Sequence, residues 1–419
     1  MRVRASIWIA LGLPLVFASP PASFAIEVPI HGFLEVAGGV RLQDDPAQPE
    51  DATLGEGRVQ LEVSHSWEKG PKVFLRTDFI GDAVLETTKI EVREVYIDSP
   101  PIPKVDVRIG RQILTWGTGD FLFVNDLFPK DYLSFFIGRQ SQYLKVASDA
   151  LKASLFVEPL SLDVVAIPFF TPDRVPTGER LSFFDGLSGR IVGKDADLTL
   201  EEPKETFGNT EVTLRLLGHF QSYEVALYGF TGFFHSPVGV KDPMKRVLFY
   251  PKLNVYGAST RGPALGGIAN VEIGYYDSRE DRAGRDPFVE NPSIKYLVGY
   301  ERQPWADFTL GVQYFLDQML KFDRFQASLP PGAPTRDELR HLLTLRLTQF
   351  LRYQTIELSL FVFYSPSDGD SYVRPSVSYK VTDNLTAVLG ANLFSGGRST
   401  PFGQLDADDN LYLRLTYSF

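Results

Sequence analysis

The sequence contains no cysteine. That excludes a disulfide framework, a thiolate metal site and a cysteine nucleophile. Histidine is scarce: His31, His65, His219, His235 and His341 are the full set. His65-Ser66 and His235-Ser236 set imidazole beside hydroxyl, but adjacent residues of a strand point to opposite faces. No triad or metal-ligand spacing results, so no cofactor and no catalytic group is expected, and a hydrolase is the least favoured reading. An excess of positive charge is also missing. The formal net charge of −10 argues against a nucleic-acid partner.

Long apolar runs are absent after the N-terminus, so no helix is expected to span a membrane. The N-terminus itself has Arg2 and Arg4, an apolar stretch from Ala5 to Ala18, and Ser23-Phe24-Ala25. Charged start, short apolar segment and small-x-small site read as a secretory signal over residues 1–25, leaving 26–419 as the mature chain.

Mean hydropathy is −0.07. Either a large secreted globule or a transmembrane barrel fits, because barrel strands alternate and average to neutral. The 32 Phe and 18 Tyr favour the barrel, since many flank short alternating segments, where rings meet a membrane–water interface. The clearest segment is the last. Leu411, Leu413, Leu415, Tyr417 and Phe419 share one face, and Tyr412, Arg414, Thr416 and Ser418 share the other. That is a strand period. The same dyad recurs around Val59, Val212, Ile294, Ile356 and Val373. One side is greasy enough for lipid and the other polar enough for water.

Segments of this kind number about 18, each near the ~9–11 residues of a tilted transmembrane strand. The weakest, 247–261, contains Pro251; without it the fallback is about 16, because the number is even. Connections alternate short and long, which predicts an all-β, antiparallel up-and-down transmembrane barrel closed by a strand ending in Phe, with both termini in the periplasm. Two aromatic girdles follow: Trp67, Tyr223, Phe308, Tyr379 and Tyr417 at the periplasmic rim, and Phe233, Tyr275, Tyr314 and Tyr364 at the outer one.

Val107–Gly117 reads VRIGRQILTWG and is followed by Asp120, Asn125-Asp126 and Pro129-Lys130-Asp131, then Lys152-Ala153-Ser154, Pro168-Phe169-Phe170, Pro172 and Arg174. This stretch resembles the alginate-export-like outer-membrane barrels, which carry R-x-G-R-Q, then W-G and an N-P-x-D-like turn. Here Asp126-Leu127-Phe128 precedes Pro129 in place of Asn. The resemblance implies an outer-membrane barrel and, through its family, an anionic polysaccharide as cargo. Elsewhere only the architecture is alike.

The residues of that stretch carry their own problem. If Val105, Val107 and Ile109 face lipid, Arg108 and Asp106 face the lumen, but Arg111 faces lipid at a cost of ~2–4 kcal/mol at the midplane. A phase switch near Gly110, such as a bulge, would turn Arg111 inward; a place near the rim would tolerate it instead. Glu94 breaks phase on the preceding strand, so one local feature is expected to serve both.

The third external connection, 117–148, is rich in Phe and Tyr and carries Asp120, Asp126, Lys130, Asp131 and Arg139. By order and length it resembles the third loop of trimeric diffusion porins, which folds into the pore; a cap on top of the barrel is the alternative. Inserted, its acids would face wall cations across a constriction. The wall candidates are Arg58, Arg76, Arg93, Arg108, Arg111, Arg215, Arg346, Arg374 and Arg414, with Glu62, Asp78, Glu91, Asp106, Glu211, Glu301 and Glu357 among them. Mixed sign favours diffusion of small hydrophilic solutes; export of an anionic polysaccharide is the alternative. Expected partners are outer-membrane lipid and lipopolysaccharide. The acidic clusters Asp44, Asp45, Glu50, Asp51 and Glu56, and Asp406, Asp408 and Asp409, read first as solvated loops and second as weak calcium bridges to lipopolysaccharide. An oligomer is compatible with all of this.

Overall fold

The computed structural model describes residues 29–330 and 335–419. The expected signal, 1–25, lies outside them. Eighteen strands form one sheet. They are β1 (Ile30–Arg41), β2 (Ala52–Ser66), β3 (Lys72–Asp82), β4 (Thr87–Asp98), β5 (Val105–Ile113) and β6 (Ala147–Val157). Then come β7 (Leu160–Ile167), β8 (Glu211–Phe220), β9 (Tyr223–Phe233), β10 (Lys252–Ala264), β11 (Gly267–Ser278) and β12 (Ser293–Trp305). The last six are β13 (Phe308–Met319), β14 (Leu339–Leu351), β15 (Ile356–Ser365), β16 (Asp370–Lys380), β17 (Leu385–Ser395) and β18 (Asn410–Ser418). Each pairs antiparallel with its chain neighbours. The first and last also pair, Phe33 with Ser418 through Arg41 with Asn410, so the sheet closes without an edge.

Closure is what the dyad demands. Leu411, Leu413, Leu415 and Tyr417 are exposed, whereas Asn410 and Tyr412 at alternate positions are buried. A solvent-facing aliphatic band around a closed barrel is the exterior of a membrane-spanning wall. Most girdle rings lie on that exterior: Trp67, Tyr223, Tyr275, Tyr314, Tyr364, Tyr379 and Tyr417 are all exposed. Phe233 is the correction. At the end of β9 it turns inward against Phe170, with ring centroids 5.7 Å apart.

One end of the barrel has only short turns, such as 221–222 and 306–307. Another two-residue turn, Leu265-Gly266, has both residues at positive φ (50° and 75°), the twist that suits a tight hairpin. The other end carries nearly all the long connections, including 114–146, 168–210 and 234–251. The strand near Pro251 divides. Val247–Phe249 joins a small three-stranded sheet in the loops, and the wall strand starts only at Lys252, after the proline.

The phase anomaly lies on β4. Arg76 pairs with Glu94, but Thr77 pairs with Val92, so Arg93 is the extra residue of a bulge. The bulge turns Glu94 inward, where its carboxylate accepts the backbone N–H of Ile113 at 3.1 Å. On β5, Gly110 has φ 126° with its Cα side against the backbone of Val95 and Tyr96, a place where any side chain would clash. The β5–β6 register nevertheless runs without a break from Val105 to Ile113. Arg111 therefore stays on the outward face with Ile109 and Leu151, and the expectation that it lines the lumen is corrected. It is placed near the loop end and holds Asp149 through two bonds of 2.9 and 2.8 Å, which offsets the cost of facing outward.

Candidate functional site: a segment bound across the barrel interior

Beyond Ile113 the chain leaves the wall, and residues 114–146 bond to inward-facing side chains from most of the circumference. Glu272 of β11 is the principal anchor. Its carboxylate, 1% exposed, accepts the backbone N–H groups of Thr118, Gly119 (2.9 Å) and Asn125 (3.2 Å), together with the Thr118 hydroxyl and the Asn125 amide. Gly117, at φ 80°, makes the turn that aims those amides at it. No cation pairs with Glu272 among the described residues, so five neutral donors carry the compensation that a buried charge requires.

Further along, Gln313 of β13 accepts the Asp120 N–H at 2.7 Å and donates to its carbonyl at 3.0 Å. Tyr276 of β11 donates to the Val124 carbonyl at 2.7 Å. A short helix, α1 (Tyr132–Phe136), is capped by Asp131, whose side chain accepts the Ser134 N–H at 2.7 Å. Phe121, Phe135 and Phe136 then pack on inward Phe361, Phe363, Tyr372 and Phe394 from β15, β16 and β17. The interior in this sector is therefore apolar, where alternation alone predicted a wet polar wall. Farther round, Tyr143 donates to Asp78 of β3 at 2.8 Å, and Asn410 of β18 donates to the Phe136 carbonyl at 3.1 Å.

The predicted constriction charges are bound, and not in the simple arrangement of loop acid facing wall cation. Asp120 alone follows it, 3.0 Å from Arg346, which also holds Glu301. Burial pushes the Asp120 carboxyl above its usual range, against the pull of Arg346. Asp126 pairs within the segment, with Lys130 at 3.0 Å and the Thr115 hydroxyl at 2.8 Å. Asp131 caps its helix and lies 3.4 Å from Arg174. Arg139 reverses the expected polarity by bonding Glu56 of the wall at 3.0 Å.

Wall arginines are mostly consumed by wall acids. Arg58 holds Asp78 (2.6 Å) and Glu56 (2.9 Å) beneath the Tyr143 ring. Arg76 holds Glu62 and Glu94, Arg108 holds Asp98, and Arg215 holds Asp163. The other three stack on rings and form no ion pair among the described residues. Arg93 lies 4.5 Å from the Tyr143 centroid, Arg374 lies 3.8 Å from Phe135, and Arg414 lies 5.8 Å from Tyr412.

Two of the cavities in the barrel are both large and polar. The larger, about 860 Å³, opens at the short-turn end between β4 and β8 and is lined by Arg108, Asp106, Lys152, Asp163 and Arg215. The second, about 720 Å³, lies at the loop end beside β9–β14 and is lined by Asp126, Phe128, Lys130, His235 and Lys295 among others. A chain of contacts links their linings: Phe128, of the loop-end cavity, meets Trp116 edge-to-face at 5.1 Å, Tyr228 lies 6.2 Å from Trp116, and the guanidinium of Arg215, of the turn-end cavity, lies 5.2 Å from the Trp116 centroid. Sequence reasoning missed Glu272, Trp116, Phe128 and Gln313 as functional residues. Glu272 reads as one more inward acid in an alternating strand; no local signal marks its five donors, which lie 147 to 154 residues away in the chain.

The fold is shared with solved outer-membrane channels. Acinetobacter baumannii OccAB3 matches 94% of this chain and 99% of its own at 8% identity, with a TM-score of 0.54. Pseudomonas aeruginosa OccK2 (OpdF), solved in complex with glucuronate, matches 94% and 98% at 8% identity, with a TM-score of 0.57. Pseudomonas aeruginosa OccK3 (OpdO) matches 93% and 95% at 8% identity, with a TM-score of 0.55. No family model and no curated protein matches the sequence. At this identity the likeness is one of architecture: the chain has the closed barrel fold of bacterial outer-membrane porin-like channels.

Proposed function

We propose that the protein lets small hydrophilic solutes diffuse across the outer membrane, with residues 117–148 acting as the constriction. The turn end and both termini face the periplasm, and the loop end faces outward, where lipopolysaccharide surrounds it. The observation that carries this reading is the pair of charged cavities whose linings are linked by the Phe128–Trp116–Arg215 contact, inside a wall whose outside is aliphatic. Cation and anion alternate in both cavities, which suits uncharged or mixed-charge solutes better than a strict ion filter.

The polysaccharide-export reading is less well supported. A polymer needs a wide, continuous bore, whereas segment 114–146 is tied across the interior by buried or partly buried bonds to β2, β3, β11, β13, β16 and β18. Planar-bilayer recording tests the proposal. Small ohmic steps are expected, and silence of the refolded barrel would remove it. Block by an anionic polymer, without block by short neutral sugars, would move the assignment to export.

A further inference from the structure

The loop-end cavity differs from the turn-end cavity in two respects. One side of it is apolar and largely aromatic, with Phe230, Phe233, Phe234 and Leu253 together. Its charges are also unevenly matched. Every lysine and arginine on the lining already holds a carboxylate: Lys130 with Asp126 at 3.0 Å, Lys295 with Asp317 at 3.5 Å, Arg336 with Glu290 at 2.7 Å, and Arg340 with Asp368 at 2.6 Å. The imidazole of His235 lies 3.1 Å from Glu211. Two lining acids, Asp173 and Asp337, have no cation partner among the described residues.

Asp173 is held only by neutral donors, the Ser236 hydroxyl at 2.6 Å and the Lys130 N–H at 2.7 Å. It stands beside the aromatic side, because its own N–H donates to the His235 carbonyl immediately after Phe233-Phe234. Asn291, 4% exposed in the same lining, has an Oδ1 without a hydrogen-bond partner.

We propose that this cavity binds an organic ammonium solute carrying an aromatic or alicyclic ring and no carboxylate. The ring packs on Phe233 and Phe234, and the ammonium lies toward Asp173, with the phenyl faces adding cation–π attraction. A carboxylate on the same solute is disfavoured, since each cation it would seek is already neutralised by a protein acid. The proposal deepens the channel reading and rests on it only in taking the cavity as reachable by solute.

Calorimetry on the full chain in detergent tests it with three probes: phenethylammonium, phenylacetate and methylammonium. Phenethylammonium is expected to bind at least about ten-fold tighter than either other probe, a difference of about 1.4 kcal/mol. Asp173→Asn is expected to weaken it by a similar factor. Asp337→Asn, at an exposed position, is expected to weaken it about three-fold and guards against a misfolded first variant. Phenylacetate binding as tightly, no measurable binding of phenethylammonium, or indifference to both substitutions would overturn the proposal. Conductance is an independent readout: a barrel that conducts but binds no phenethylammonium loses only this inference, and one that binds it but does not conduct loses only the channel reading.

Discussion

The wall and the segment inside it are built on different rules. The wall obeys a local one: alternate residues face lipid, neighbours in sequence are neighbours in the sheet, and hairpin register carries the pattern from β1 to β18. The inserted segment has no period. Its position depends on partners far away in the chain, such as Phe135 with Tyr372 and Arg139 with Glu56. The wall should therefore fail by changes in hydrophobicity at single positions, and the segment by the loss of single polar anchors. On the proposed function, stability belongs to the one and solute selection to the other.

The largest effect is expected at Glu272. Glu272→Leu strips an acceptor from buried N–H groups, at about 1–3 kcal/mol for each group left unsatisfied. Hydrogen exchange at Thr118, Gly119 and Asn125 should accelerate by orders of magnitude while the wall amides stay protected. Uniform protection would contradict the division drawn above. Next is the wall itself. Leu413→Arg places charge on the lipid face and should cost about 2–4 kcal/mol in urea unfolding from lipid vesicles. Ser378→Arg, on the inward face of β16, should cost less than about 1 kcal/mol. Equal costs would refute the assignment of faces.

A smaller effect is expected at Arg346. Arg346→Ala leaves Asp120 and Glu301 without their cation and should shift the reversal potential in a salt gradient toward cation preference, by less than about two-fold in permeability ratio. The smallest is a pH effect at His235, just beyond β9. Burial disfavours its charge, but the facing Glu211 outweighs burial, with Asp173 adding to it and Lys130 opposing, so its pKa lies above the ordinary value. A raised imidazole pKa contributes stability that is complete below ~6.5 and is lost as pH rises through the folded value. Thermal stability of the wild type should fall between neutral and alkaline pH more than that of His235→Gln. Parallel profiles would remove the role of this pair.

What the sequence makes legible follows from the same contrast. All eighteen strands can be read from period two, and even the doubtful one near Pro251 exists, shifted past the proline because proline cannot donate to a ladder. The anomaly around Arg93, Glu94, Gly110 and Arg111 is visible as broken phase, but which strand carries the extra residue depends on pairing: the bulge on β4 rescued Glu94, while Arg111 found Asp149 on the outside. Charged residues of the inserted segment can be named from sequence; their partners cannot. A carboxylate such as Glu56 gives no local sign that it will bond Arg139, and alternation cannot show that Phe361 and Tyr372, on the supposedly wet side, will be covered by Phe121 and Phe135.

On the proposed function the segment, and not the wall, limits passage. The most direct measurement compares single-channel conductance of the intact barrel with that of a variant in which 118–143 is replaced by a short Gly-Ser turn. Conductance should rise several-fold once the eighteen-strand wall alone sets the bore. An unchanged conductance would show that the segment does not restrict the pore, and the account would fail.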